Sequence, residues 1–236
     1  FKKTNEVQYP SIPPTKGSRC IFIVGMPRSG TSLLESILTT NNVFPGDERI
    51  FFNSKLSPII NNAEFEKIDE NFMVKLGDGY LNLIKESTVE TNFFIDKMPA
   101  NYQLLGFIHR ALPAAKVIYI HRNPWDNATS LFKENYVTRQ AFASKFFSIA
   151  MEYAGHEAIM EFWKNFFQKN QRFIFEIKYE NLVQETNTMA NQLWKFIGLE
   201  GEYNKSNKTK RYMSFTASKF QVRQNVHQSS IKKSIF

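Results

Sequence analysis

Cys20-Ile21-Phe22-Ile23-Val24, Phe93-Phe94-Ile95, Lys116-Val117-Ile118-Tyr119-Ile120 and Phe173-Ile174-Phe175-Glu176-Ile177 are short, β-prone apolar runs. Their length and composition predict strands. Segments of helical period lie between them. Leu33, Leu34, Ile37 and Leu38 predict a helix over Ser32 to Thr40. Leu76, Tyr80, Leu83 and Ile84 predict helical structure over residues 62–87, around a Gly-Asp-Gly interruption. Further helices are expected over Tyr102 to Ala111, over residues 142–169, and over 188–197 ahead of a helix-ending Gly198. Asn123-Pro124 is a helix start, with Asn as N-cap, Pro at the first helical position and Asp126 in the first turn. Residues 41–58 read as irregular. Residues 1–18, with Pro10, Pro13, Pro14 and Gly17, read as a tail or linker. Strands alternating with helices imply an α/β domain, a central parallel sheet flanked by helices, with its ligand beyond the carboxyl ends of the strands.

Composition narrows the classes. A chain of 236 residues, 42% hydrophobic and 22% charged, has the size and make-up of one globular domain, taken here as residues 19–236. A net charge of +8 favours anionic ligands. The single Cys20 excludes an internal disulfide and, at the start of an apolar strand, reads as a buried inert thiol. There is no apolar run of the ~18 residues that span a bilayer and no signal peptide, so the expected location is cytoplasmic, or the Golgi lumen if the chain belongs to an anchored protein. The 23 phenylalanines fall mainly in strand and helix patterns, as a core requires. A nucleic-acid protein would instead gather basic and aromatic residues on one surface, so none is expected as partner.

The chemistry is concentrated at strand ends. After the first strand, Gly25-Met26-Pro27-Arg28-Ser29-Gly30 opens into a helix, an order of elements that turns backbone N–H groups and a positive helix end onto an anion. The glycine spacing is that of the nucleotide-triphosphatase loop, giving a P-loop-type, three-layer expectation for the fold. Thr31, however, stands where that loop carries Lys, and Arg28 lies inside it. The strand 116–120 ends in His121-Arg122-Asn123-Pro124, a cation where a magnesium-holding Asp would be expected. Arg28, Lys97, Arg122 and Tyr179 all follow strands at one edge. A kinase using ATP and Mg²⁺ and a non-catalytic basic anion-binding module are the rival readings. The missing Lys and Asp argue against the first.

Pro27-Arg28-Ser29-Gly30-Thr31-Ser32 resembles the 5′-phosphosulfate loop of sulfotransferases that use 3′-phosphoadenosine 5′-phosphosulfate. Arg122 to Ser130 resembles their 3′-phosphate motif, an Arg followed eight residues later by a Ser. Gly46-Asp47-Glu48, Asp96-Lys97-Met98-Pro99, Lys178-Tyr179-Glu180-Asn181-Leu182 and Ser218-Lys219-Phe220-Gln221-Val222-Arg223-Gln224 follow in order. The set is closest to the tyrosylprotein and bacterial repeat-associated branch. The resemblance implies metal-independent, in-line sulfuryl transfer to an acceptor hydroxyl, whether on a peptide tyrosine, a glycan or a small alcohol. It implies Glu48 as general base, with Asp47, His109 and His121 as rivals, and Lys97 at the bridging oxygen. Arg28, Ser29, Gly30, Thr31 and Ser32 would hold the 5′-phosphosulfate, with Arg28 making a bidentate contact and also assisting catalysis. Arg122 and Ser130 would hold the 3′-phosphate, and Tyr179 would contact adenine. A C-terminal loop, residues 214–236, would close over the donor with Ser218 at the sulfuryl end and Arg223 and Lys233 on its phosphates. No resident metal is expected, and a homodimer is left open.

Overall fold

The computed structural model describes residues 12–85, 87, 91–134, 141–168 and 173–203. Five strands form one sheet: β1 (Cys20–Val24), β2 (Val43–Pro45), β3 (Phe93–Asp96), β4 (Lys116–His121) and β5 (Ile174–Lys178). Their spatial order is β2-β3-β1-β4-β5, and every pairing is parallel. Eight helices are described: α1 (Thr31–Leu38), α2 (Phe51–Asn61), α3 (Glu70–Lys85), α4 (Leu105–Ala111), α5 (Pro124–Lys133), α6 (Phe146–Phe166), α7 (Tyr179–Gln184) and α8 (Thr186–Ile197). Short 3-10 segments precede α3, α4 and α6.

Each strand sends alternate side chains to opposite faces, and both faces are covered. Cys20, Phe22 and Val24 of β1, with Val117 and Tyr119 of β4, join Phe52, Leu56, Met73, Tyr80, Ile108 and Met160 in one core. Ile21, Ile23, Ile118, Ile120 and Ile177 join Leu34, Ile37, Leu182, Leu193 and Ile197 in the other. This is the three-layer α/β fold with a central parallel sheet that the sequence implied. Because the chain winds outward in opposite directions after β1 and β4, the crevice beyond their carboxyl ends is where a ligand fits.

Two expectations are corrected. The stretch 41–58 is not irregular. It contains β2 and most of α2, which forms because Phe52 and Leu56 bury against the sheet despite Pro58 near its end. Helical structure over 62–87 resolves into a turn at Phe65–Lys67 and then α3, which runs uninterrupted through Gly77 and Gly79. Residues 12–18, the end of the expected tail, lie against the domain: Lys16 Nζ donates to the Val74 carbonyl at 3.1 Å and sits 2.8 Å from Asp78. Ser218, Arg223 and Lys233, with the loop 214–236, lie outside the described residues. Among the described residues no helix is long and apolar enough to cross a membrane.

Candidate active site

The loop between β1 and α1 is held tightly against the sheet, and this closeness accounts for its two glycines. At Gly25 (φ 156°) a Cβ would lie 2.2 Å from the Ile120 carbonyl oxygen. At Gly30 (φ 107°), the N-cap of α1, it would lie 2.4 Å from the Tyr179 ring. The loop is fastened by Asn127 Nδ2, which donates to the Pro27 carbonyl at 3.1 Å, and by the Gly25 N–H, which donates to Pro99 at 3.4 Å. The Ser29 N–H donates to Met26 O at 3.1 Å, so it closes the loop and is not turned outward as the anion nest required. The first-turn N–H groups of α1 lack intrahelical acceptors, as at any helix start. The Ser29 hydroxyl is buried without a hydrogen-bond partner among the described residues, a polar group ready for a ligand.

Arg28 adopts a left-handed backbone conformation (φ 68°), uncommon for a side-chain-bearing residue. This aims its nearly buried guanidinium at α5, where Nε donates to Ser130 Oγ at 3.2 Å and Nη2 lies 3.3 Å from Glu134. Arg122, directly after β4, donates from Nη1 to the Arg28 carbonyl at 3.3 Å and lies 4.6 Å above the Tyr179 ring. Four of the expected residues (Arg28, Ser130, Arg122 and Tyr179) therefore meet at one spot, between the cradle and α5. Tyr179 is only 8% exposed, with one ring face under Arg122 and its edge against Gly30. Burial lowers the Arg122 pKa from its ordinary value, a desolvation cost that the charge of an arriving anion would offset.

On the other side of the crevice, β3 delivers Lys97. Its ammonium is fully buried and donates to Glu48 Oε1 at 2.9 Å, with Asp47 Oδ1 3.9 Å away. The turn that carries both carboxylates extends β2 along β3: Gly46 N–H donates to Ile95 O at 2.8 Å, and Lys97 N–H to Asp47 O at 3.0 Å. The Glu48 side chain is 44% exposed, so the carboxylate touches Lys97 while still open to an acceptor. Of the rivals, Asp47 shares this turn, while the two histidines sit elsewhere. His109, on α4, packs against Phe167 and Phe173, and burial lowers its pKa. His121 stacks on Tyr119 and lies 3.4 Å from Glu176, on the face of β4 away from Arg122.

A profile of the Sulfotransferase family matches residues 20–203. The chain belongs to that family. An uncharacterized protein of Aquifex aeolicus is 31% identical over 235 residues, which is 91% of this chain but 30% of that protein. Human sulfotransferase 4A1 is 29% identical over 190 residues, 76% of this chain and 60% of the human one. The chain thus spans less than two thirds of either relative. In fold, the chain is similar to the sulfotransferase domain of the Synechococcus PCC 7002 olefin synthase (TM-score 0.63, 14% identity, covering 98% of this chain and 92% of that one). The sulfotransferase domain from the curacin biosynthetic pathway is likewise similar (TM-score 0.59, 17% identity, 89% and 88%). Mouse sulfotransferase SULT7A1, solved in complex with PAP, follows (TM-score 0.50, 15% identity, 93% and 68%).

Two features of this site were missed in the sequence. Glu35 of α1 is fully buried, and its Oε1 accepts the Asp47 N–H at 3.2 Å, tying the cradle helix to the carboxylate turn. Its one sequence signal is that it is the sole charge in an eight-residue helix. Asp96 turns to the opposite face from Lys97 and accepts the Tyr80 hydroxyl at 3.0 Å. Complete burial pushes its pKa up to about 7, against the opposing pull of the Tyr80 hydrogen bond.

Proposed function

We propose that the chain transfers the sulfuryl group of 3′-phosphoadenosine 5′-phosphosulfate to an acceptor hydroxyl. One observation carries this reading: a buried Lys97 paired at 2.9 Å with a half-exposed Glu48, and an Arg28–Ser130–Arg122 cluster, occupy the same sheet edge, either side of a phosphate cradle. The PAP bound by the mouse relative supports a donor of this kind. Arg122 and Ser130 hold the 3′-phosphate, with Arg28 joined to Ser130. The Thr31 and Ser32 hydroxyls, the first turn of α1 and the Ser29 hydroxyl take the 5′-phosphosulfate. Tyr179 supports Arg122 through its ring face, a role its burial favours over contact with adenine. Ser218, Arg223 and Lys233 remain assigned to the closing loop on motif resemblance.

In the transfer, Glu48 accepts the proton of the acceptor hydroxyl while that oxygen forms a bond to sulfur. The bond from sulfur to the 5′-phosphate oxygen breaks in line, and its electron pair leaves with adenosine 3′,5′-bisphosphate. Lys97 donates a hydrogen bond to that bridging oxygen as charge collects there. The cations of the site supply the neutralisation that Mg²⁺ supplies in phosphoryl transfer, so the step requires no metal. The test is incubation with sulfur-labelled donor, chelator and a panel comprising a tyrosyl peptide, a glycan and a simple alcohol. Label should appear on at least one acceptor, matched by release of the bisphosphate. Magnesium-dependent phosphate transfer from ATP, with no label transferred, would overturn the reading.

A further inference from the structure

Helix α6 is apolar on the side where a surface helix is normally polar. Its inner side supplies Ile149, His156, Met160 and neighbouring Trp163 to the core region. The opposite side carries Phe147, Met151, Gly155, Ala158, Phe162 and Phe166, spaced at turns of one helix and all exposed. Phe147 is 77% exposed, Met151 60%, and Phe162 and Phe166 56% each, while a Cβ added at Gly155 would meet nothing within 4 Å. The other residues on that arc, Ser148 and Asn165, are uncharged. The expectation that the phenylalanines serve the core fails here. An aromatic patch of this kind marks an interaction surface, and it lacks the interleaved basic residues that nucleic acid would need.

The stripe also reads the same in both directions. From the midpoint between His156 and Glu157, Gly155 and Ala158 are equidistant, as are Met151 and Phe162, and again Phe147 and Phe166. Laid antiparallel against a copy of itself, the helix sets small residues over small residues at the centre and bulky ones over bulky ones outside. That arrangement is self-complementary, as an isologous two-fold interface requires. Small central residues also allow the close approach of two helix axes. The area suffices: four large apolar side chains exposed by half or more contribute about 500 Å² per copy, or about 1,000 Å² for the pair. We propose that α6 forms a two-fold, antiparallel homodimer interface with a second copy of this chain. The helix is attached to the donor site, because Tyr153 on its inner side donates to the Arg122 carbonyl at 3.0 Å.

The test begins with sedimentation equilibrium of the purified chain, which should show a reversible dimer. Ala158→Glu places like charges near the axis of two-fold symmetry, Met151→Glu buries a charge against Phe162 of the partner subunit, and each should weaken the dimer by more than about 100-fold. Both positions are solvent-facing in one copy, so circular dichroism and bisphosphate affinity should stay unchanged. A crosslinking experiment fixes the direction. Cys20, the chain's single cysteine, is buried with its thiol pushed up to about 12, and will not compete. A mixture of Phe147→Cys and Phe166→Cys chains should give an oxidised dimer, and neither chain alone should. A monomer at the highest soluble concentration, a dimer indifferent to Ala158→Glu, or Phe147→Cys crosslinking to itself would each overturn the proposal.

Discussion

Glu48→Gln keeps the shape of the side chain that faces Lys97 and removes both its charge and its basicity. The structure sets what this costs. At 2.9 Å, opposite charges attract by about 1.4 kcal/mol in water and about 6 kcal/mol at an effective dielectric of 20. With the carboxylate 44% exposed, the value lies toward the lower end. The Gln carbonyl can still accept the Lys97 N–H, and Asp47 remains 3.9 Å away as a counter-charge, so stability should fall by only about 1–2 kcal/mol. Turnover should fall much further, by the roughly 10²–10⁴-fold that follows loss of a general base. Denaturant melts, bisphosphate affinity and release of bisphosphate with a competent acceptor measure the three quantities separately. Asp47→Asn is the matched control. Its backbone carbonyl holds Lys97 N–H whatever the side chain, and its carboxylate is the more distant, so turnover should drop less than about tenfold. Near-normal turnover in Glu48→Gln, with a collapse in Asp47→Asn, would refute the assignment and move the base one residue back.

Other outcomes follow from the same geometry. Arg122→Ala should weaken bisphosphate binding by about 2–4 kcal/mol, measured by calorimetry, and weaken adenosine 5′-phosphate far less, since that ligand lacks the 3′ group. Glu35→Ala strands the Asp47 N–H and opens a cavity, so stability should fall by about 2–4 kcal/mol and kcat by more than KM rises. Glu35→Gln, which retains the acceptor oxygen, should restore most of the kcat if the residue positions the turn. Asp96 has a folded-state pKa of about 7, above its unfolded value of 3.8, so the folded state holds the extra proton between them. Its contribution to stability is complete below about pH 4 and is lost as pH rises toward 7, by up to about 4 kcal/mol. Asp96→Asn should remove that slope, and the difference between the two pH–stability curves measures it.

The cradle was legible because it is built from residues with few other uses. Two glycines at fixed spacing, a strand before them and a helix after them leave little freedom, and the close approaches at Gly25 and Gly30 show why. The start of α5 was legible for a similar reason: Asn123 Oδ1 accepts the N–H groups of Trp125 and Asp126, as its sequence position foretold. β2 was not legible. It is three residues long, ends in Pro45 and lies at the sheet edge, where a missing N–H is tolerated and local propensity says little. α2 was hidden by Pro58, a helix breaker in sequence that tertiary burial of Phe52 and Leu56 overrides. Arg28, Lys97 and Arg122 could be placed at one edge from the strand ends. The partners they take there could not, because Ser130, Glu134 and Glu48 reach them through contacts distant in the chain. Glu35 was invisible for the opposite reason: a lone Glu on a helix ordinarily faces water, and only the packing of α1 against the carboxylate turn buries it.

The proposed site takes a nucleotide carrying phosphate on both its 3′ and 5′ positions, without a metal. Calorimetric titration of the chain with adenosine 3′,5′-bisphosphate, adenosine 5′-phosphate and ATP, each with chelator and again with magnesium, tests it directly. The bisphosphate should bind at least about 30-fold more tightly than adenosine 5′-phosphate, the equivalent of ~2 kcal/mol for the 3′-phosphate contacts, and magnesium should change nothing. Tight binding of ATP that depends on magnesium, with no preference for the bisphosphate, would rule such a site out.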